Sequence, residues 1–159
     1  FFNVHMYHPN PYYHVDGEKK MMSFRLIMDK ARKGEPIEVW GDSSRTKEML
    51  YVKDLTLLIE QAIESDKKGG IYNVGSSKQV SLEEQIDGII DVFSDAKRSE
   101  KVYCPEKPDA LFNHLDISKT IKDLDYKPQY SYIDWLRDFK LEEEMNRFEK
   151  LWGTRDDYE

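Results

Sequence analysis

The side chains best suited to chemistry gather in one stretch, Glu38 to Asp54. There Gly41-Asp-Ser-Ser44 separates two short apolar runs and is followed at once by Arg45 and Lys47. Glycine, aspartate and serine together favour a turn, and a turn that carries two cations between extended runs makes a cradle for an anion. Further cations stand at Lys19, Lys20 and Lys107. The chain also contains Tyr103-Cys-Pro-Glu-Lys107. A Tyr-x-x-x-Lys pair can transfer a proton when both side chains share one helical face and the lysine lowers the phenol pKa. Pro105 would break that helical turn and Tyr103 falls in a strand-like run, so the spacing is accidental and no catalytic residue is expected. Three of the four histidines lie between His5 and His14. Their spacing matches no common ligand pattern and no carboxylate or cysteine stands at a fixed offset, so no metal site is expected.

The elements that must position these residues follow from periodicity. His5 to Asp16, rich in histidine, tyrosine and proline, reads as an aromatic-lined loop. Glu18 to Lys33 suits a helix buried over a wide face and stopped by Gly34. A strand at Val39-Trp40, an extended run from Met49 to Val52 and a helix capped by Asp54 follow. Ile71 to Gly75 is expected to be a short strand. Ser81-Leu-Glu-Glu84 is a capping box before an apolar face of Leu82, Ile86, Ile89, Ile90 and Phe93. Lys101 to Cys104 reads as a strand, and Asp116 caps a short helix. The longest helix is expected over Ser131 to Trp152, with Asp134 as the capping partner of Ser131 and Glu142-Glu-Glu144 as a solvated face. Strands alternating with helices give an α/β class.

Composition narrows the function. A chain of 159 residues with 39% hydrophobic content can bury a core. Its formal charge of −7 opposes a broad nucleic-acid footprint, so any anionic ligand must be met by a local group of cations. No apolar run approaches the length of a membrane span. The single cysteine, Cys104, is expected to be a structural thiol and points to a reducing, cytoplasmic compartment.

Several linked motifs carry a family resemblance: Glu35-Pro-Ile-Glu-Val-Trp-Gly-Asp42, Tyr51-Val-Lys-Asp54, Ile71-Tyr-Asn-Val-Gly-Ser76, Lys107-Pro-Asp109 and Asp116-Ile-Ser-Lys119. In order and spacing they resemble the C-terminal half of an extended short-chain dehydrogenase/reductase, the nucleotide-sugar epimerase and dehydratase family, from about Phe1 to about Pro128. The resemblance implies the last strands and helices of a Rossmann-like fold plus a substrate-binding subdomain over 1–159. It places NAD or NADP in an N-terminal Rossmann half and a nucleotide-diphosphate sugar in this half. Carried over residue by residue, it puts Phe1 near the cofactor nicotinamide, Asn3 on the sugar-nucleotide diphosphate, and Glu38 and Trp40 by the base. Lys47 stands where the family has a diphosphate-binding arginine, with Arg45 as the alternative, and Lys107 stands where it has a second; Lys20 is a further cation for the same ligand. The family continues Asn-x-Tyr-Gly-Pro, whereas this chain reads Asn3-Val-His-Met-Tyr-His-Pro9. The glycine-rich pyrophosphate turn is missing. A start in strand-like sequence without methionine reads as a fragment, expected to bind the cofactor poorly and to be inactive alone, from a parent able to form a homodimer. The competing expectation is a noncatalytic ligand-binding or sensor module that has kept the fold.

Overall fold

The computed structural model describes residues 4–76, 78–109 and 114–159. The chain opens with β1 (Val4–His5) and a hairpin of β2 (Tyr12–Val15) and β3 (Glu18–Met21), then α1 (Ser23–Lys33) and β4 (Ile37–Trp40). Two short strands, β5 (Thr46–Glu48) and β6 (Leu50–Tyr51), lead into α2 (Val52–Glu64). After these come β7 (Gln79–Ser81), α3 (Leu82–Phe93), β8 (Lys101–Cys104), α4 (Ser118–Leu124), α5 (Tyr132–Met145), α6 (Glu149–Trp152) and a 3-10 turn at Arg155–Tyr158. Among the described residues the strands form two-stranded pairs: β1 with β6 and β4 with β8 are parallel, while β2 with β3 and β5 with β7 are antiparallel.

α3 sits at the centre. It packs against α1 on one side and α5 on the other. Its Ile86, Ile89, Ile90 and Phe93 meet Met28 and Ala31 of α1, Ile37 and Val39 of β4, and Trp135, Leu136 and Phe139 of α5. Gly88 permits the close crossing with α5, since a Cβ there would lie 2.7 Å from Tyr132 Cε1 and 2.8 Å from Ile133 Cδ1. A smaller cluster of Leu58, Ile117, Leu124 and Tyr126 joins α2 to α4. Both expected capping boxes form, Ser81 with Glu84 and Ser131 with Asp134. Asp116 accepts from the Ser118 amide at 2.9 Å at the start of α4.

Several expectations are corrected. Glu18 to Met21 is a strand, so α1 begins only at Ser23. Asp16 and Gly17 both adopt positive φ (52° and 79°), the two-residue geometry that an Asp-Gly pair favours in a tight hairpin, and this local turn overrides the helical pattern of the methionines. The helix does stop where expected, with Gly34 at φ 64°. Asp54 does not cap α2: it lies inside the first turn, 2% exposed, and accepts from the amides of Gln129 (2.7 Å) and Tyr130 (3.3 Å). Residues 71–75 pair with no strand among the described residues. Their carbonyls are met by side chains instead: Lys119 Nζ reaches Ile71 O (3.0 Å), Thr120 Oγ1 reaches Asn73 O (2.5 Å) and the Tyr126 hydroxyl reaches Gly75 O (3.2 Å).

The expected helix from Ser131 to Trp152 breaks at Asn146, whose φ of 37° ends α5. Met145 and Phe148 are left exposed as a result. Glu142 and Glu143 are not a solvated face. Glu142 pairs with Lys53 and Arg147, and Glu143 with Arg25 and Arg32. The last residues fold back over the start of the chain. The His8 ring lies 5.0 Å from Trp152 and 5.9 Å from Tyr158, Arg155 binds both Asp29 oxygens (2.9 and 2.5 Å), and Lys19 Nζ donates to the Tyr158 and Glu159 carbonyls.

Candidate functional site

Because β4 and β8 run parallel, their carboxyl ends lie together, with Trp40 opposite Cys104. Side chains alternate along β4, so Ile37 and Val39 enter the core while Glu38 and Trp40 face out. Past the strands two turns meet. Gly41, at φ 67°, donates its amide to Cys104 O (3.0 Å), and the Lys107 amide donates to the same carbonyl (3.1 Å). Asp42 Oδ1 accepts from the amide and hydroxyl of Ser44 at 2.8 and 2.7 Å, bonds that hold its carboxyl below the usual range. Asp109 receives the Asp42 amide at 2.9 Å and pairs with Arg45.

On this platform Trp40 is 44% exposed, enough to offer its ring to a ligand. Its Nε1 donates to Glu38 Oε2 (2.7 Å), which fixes the ring plane, and Lys107 Nζ sits 5.4 Å from the ring centroid. Glu38, Trp40, Arg45 and Lys107 therefore come together. Arg45 is bound into the frame: Nη1 donates to Trp40 O (2.5 Å) and Asp42 O (3.2 Å) as well as to Asp109. A flat aromatic surface with an ammonium beside it can stack a planar ring and neutralise an attached anion.

The remaining expected residues lie elsewhere. Lys47, on β5, is half-buried, and burial lowers its pKa; its charge is felt by His5. Lys20 is on the hairpin, 3.2 Å from Glu18. Phe1 and Asn3 fall outside the described residues. Asp109, which joins the two turns, was not singled out as a site residue; the Lys-Pro-Asp turn at 107–109 was the signal that could have found it. Tyr103 and Lys107 do not form a dyad, since the Tyr103 hydroxyl donates to Glu83 Oε1 (2.7 Å) and Lys107 lies over Trp40.

Burial together with Glu106 and Glu38 raises the Cys104 thiol above its ordinary pKa, the reverse of what a nucleophile needs. The early histidines occupy three different surroundings: His5 against Trp135, His8 against Trp152, and His14 on β2. No cluster of three or more metal-ligating side chains occurs among the described residues. No described helix is long and apolar enough to cross a membrane. The described residues do not fit a dinucleotide pyrophosphate either. The one strand that feeds directly into a long helix at its parallel end, β6 into α2, does so through Tyr51-Val52 with no glycine turn.

Residues 3–75 match the NAD dependent epimerase/dehydratase family. The dTDP-4-dehydro-6-deoxy-D-allose reductase of a Streptomyces species is 32% identical over 105 residues, 65% of this chain and 31% of that one. The chain is thus similar to this family over its first half, and to the reductase over about two thirds of its length. A dTDP-glucose 4,6-dehydratase of Xanthomonas campestris, another relative, is 26% identical over 126 residues, covering 69% of this chain and 36% of the dehydratase. The crystal structure of UDP-glucuronic acid 4-epimerase from Bacillus cereus, in complex with UDP-glucuronic acid and NAD, shares the fold with a TM-score of 0.58 and 25% identity, over 75% of this chain and 38% of the epimerase. The chain thus spans about a third of the length of the curated relatives it matches, and its α/β arrangement is that of part of an extended short-chain dehydrogenase/reductase.

Proposed function

We propose that residues 1–159 are the nucleotide-diphosphate-sugar-binding portion of an NAD(P)-dependent sugar-nucleotide epimerase or dehydratase, the dinucleotide being held by a Rossmann half outside them. The observation that carries this reading is the meeting of Trp40 and Lys107 at the carboxyl ends of the parallel β4–β8 pair, the end of a parallel sheet where α/β proteins take their ligands. Trp40 stacks the base, with Glu38 setting its ring plane. Lys107 neutralises the diphosphate. Lys47, on β5 away from this platform and two residues beyond Arg45, and Asn3, which immediately precedes β1 in sequence, would supply further polar contacts to the same ligand. Arg45 acts through the frame, holding the 41–45 turn against Asp109. In the intact enzyme the nicotinamide would accept and return a hydride; the contribution of these residues is to place the sugar for it. Relatives that act on dTDP-sugars and a neighbour bound to a UDP-sugar support this ligand class.

The test is a titration of the chain with UDP-glucose, dTDP-glucose and GDP-mannose, followed by tryptophan fluorescence and calorimetry. At least one should bind saturably and more weakly as salt rises. Lys107→Met should weaken binding about tenfold by removing a charge-assisted contact, and Trp40→Ala by a similar factor. Absence of binding by all three, or binding that ignores both substitutions, would remove this reading.

A further inference from the structure

A second cavity, of about 250 Å3, lies between the loop after β1 and the start of α1. Its polar lining is Arg25, His8, Asn10 and Tyr12, and Met22 and Phe24 contribute to an apolar floor. None of these belongs to the Trp40 platform.

Arg25 is 2% exposed, its guanidinium 5.1 Å from the Phe139 ring centroid and 5.8 Å from that of Tyr7. Nη2 donates to Glu143 Oε1 at 2.9 Å. Nε and Nη1 are buried and have no hydrogen-bond partner among the described residues. A buried cation with unmet donors is an unstable arrangement unless something else supplies acceptors. The neighbouring charges do not supply them. The charged groups that act on Arg25 are Glu143, Asp29, Arg32 and Arg155. Glu143 is shared with Arg32, and Asp29 is engaged by Arg155 and again by Arg32. Arg155 also pairs with Glu159 (3.1 Å), so the three arginines meet Glu143, Asp29 and Glu159, and Arg25, with one donor engaged and two buried donors unmet, is the one with donors to spare.

The rest of the polar lining also offers donors. His8 Nδ1 accepts the Asn10 amide at 3.0 Å, and both burial and the nearby Arg25 push the ring toward its neutral form. The proton of the neutral ring is therefore on Nε2. Asn10 Oδ1 is taken by the Tyr12 amide at 2.9 Å, which leaves the Asn10 NH2 group free to donate. A buried planar guanidinium with two unmet donors, further N–H donors and an apolar floor together describe a receptor for a planar monoanion on a nonpolar body.

We propose that this cavity binds a monocarboxylate with a small apolar body, the carboxylate accepting from Arg25 and from Asn10. The site is separate from the sugar-nucleotide platform and does not depend on it. The experiment is 1H–15N spectroscopy of the full chain titrated with benzoate, with hexanoate, with inorganic phosphate and with chloride. Benzoate or hexanoate should shift the Arg25 Nε–H and the backbone amides of Asn10 and Met22 along one saturable curve, with phosphate and chloride far weaker. Asn10→Ala, which removes a donor without touching Glu143 or the core, should weaken binding about tenfold while leaving the rest of the spectrum in place. Arg25→Lys, which keeps charge but loses the planar fork, should abolish saturation. Carboxylates that produce no saturable shift, phosphate that binds as tightly as benzoate, or an Asn10→Ala chain that binds as tightly as the parent would each overturn the proposal.

Discussion

Replacing His5 by phenylalanine should flatten the acid limb of the stability profile. His5 is 8% exposed, stacked on Trp135 with ring centroids 5.1 Å apart and edge-on to Phe24 at 5.4 Å. Burial first, and then the charge of Lys47, lower its pKa from 6.5 to about 3. Below pH 6.5 the unfolded chain therefore takes a proton that the folded chain refuses. Stability from this residue is fully present above pH 6.5 and is lost as pH falls toward 3, by at most about 1.4 kcal/mol per pH unit. From neutral pH to about pH 5 the loss is about 2 kcal/mol, a large part of an ordinary domain's stability of roughly 5–15 kcal/mol. Phenylalanine keeps a flat ring in the stack and removes the buried Nε2, which has no partner among the described residues. Urea unfolding across a pH series should show the parent losing about 2 kcal/mol more than His5→Phe over that interval. His8, which also titrates low, is present in both chains and cancels in the difference. Parallel profiles would refute the reasoning, because they would mean that His5 is as easily protonated folded as unfolded.

Two further substitutions test the frame. Asp54→Ala should cost about 3 kcal/mol by stranding the amides of Gln129 and Tyr130, and Asp54→Asn about half of that, since one oxygen is retained; chemical denaturation would read both, and an asparagine as good as aspartate would mark an ordinary helix cap instead. Gly88→Ala should destabilise by about 1–2 kcal/mol, because crowding against Tyr132 and Ile133 outweighs a helix-propensity gain of about 1 kcal/mol. The Tyr132 ring is held by its hydroxyl on Gln85 O at 2.7 Å and cannot easily give way, so a raised melting temperature in Gly88→Ala would contradict the α3–α5 packing.

What the sequence made legible was decided by local physics. The capping boxes at Ser81 and Ser131, the αL stop at Gly34 and the strand Lys101–Cys104 depend on residues a few positions apart, and each stands where expected. The failures share a different cause. Asp54 looks like a cap because its partners, Gln129 and Tyr130, are far along the chain and invisible to local pattern. Glu142 and Glu143 read as solvated until the arginines of α1 and Lys53 are brought against them. Residues 71–75 have strand-like composition, yet side chains of Lys119, Thr120 and Tyr126 satisfy their carbonyls. At the site, family motifs named Glu38, Trp40, Arg45 and Lys107 alongside Lys20 and Lys47, which the fold places elsewhere, and they did not divide the labour among them. Whether Arg45 faces a ligand or a neighbouring loop depends on Asp109, and only folding brings that carboxylate to it.

The return of the chain's last turn onto its first hairpin has a kinetic consequence. Lys19 and Tyr158 meet across a separation of 139 residues, whereas β4 and the helices around α3 come together through shorter loops. The entropy of closing a loop rises with its length, if slowly, and the contacts that close this one, a histidine on two rings and a few charge-assisted bonds, bury little apolar surface. Such a clasp forms after the α1–α3–α5 core has already brought its two sides near each other. It is also the unit with least to lose on opening, so the earliest local unfolding of this molecule is the release of its tail from the His8 loop, with the core still intact behind it.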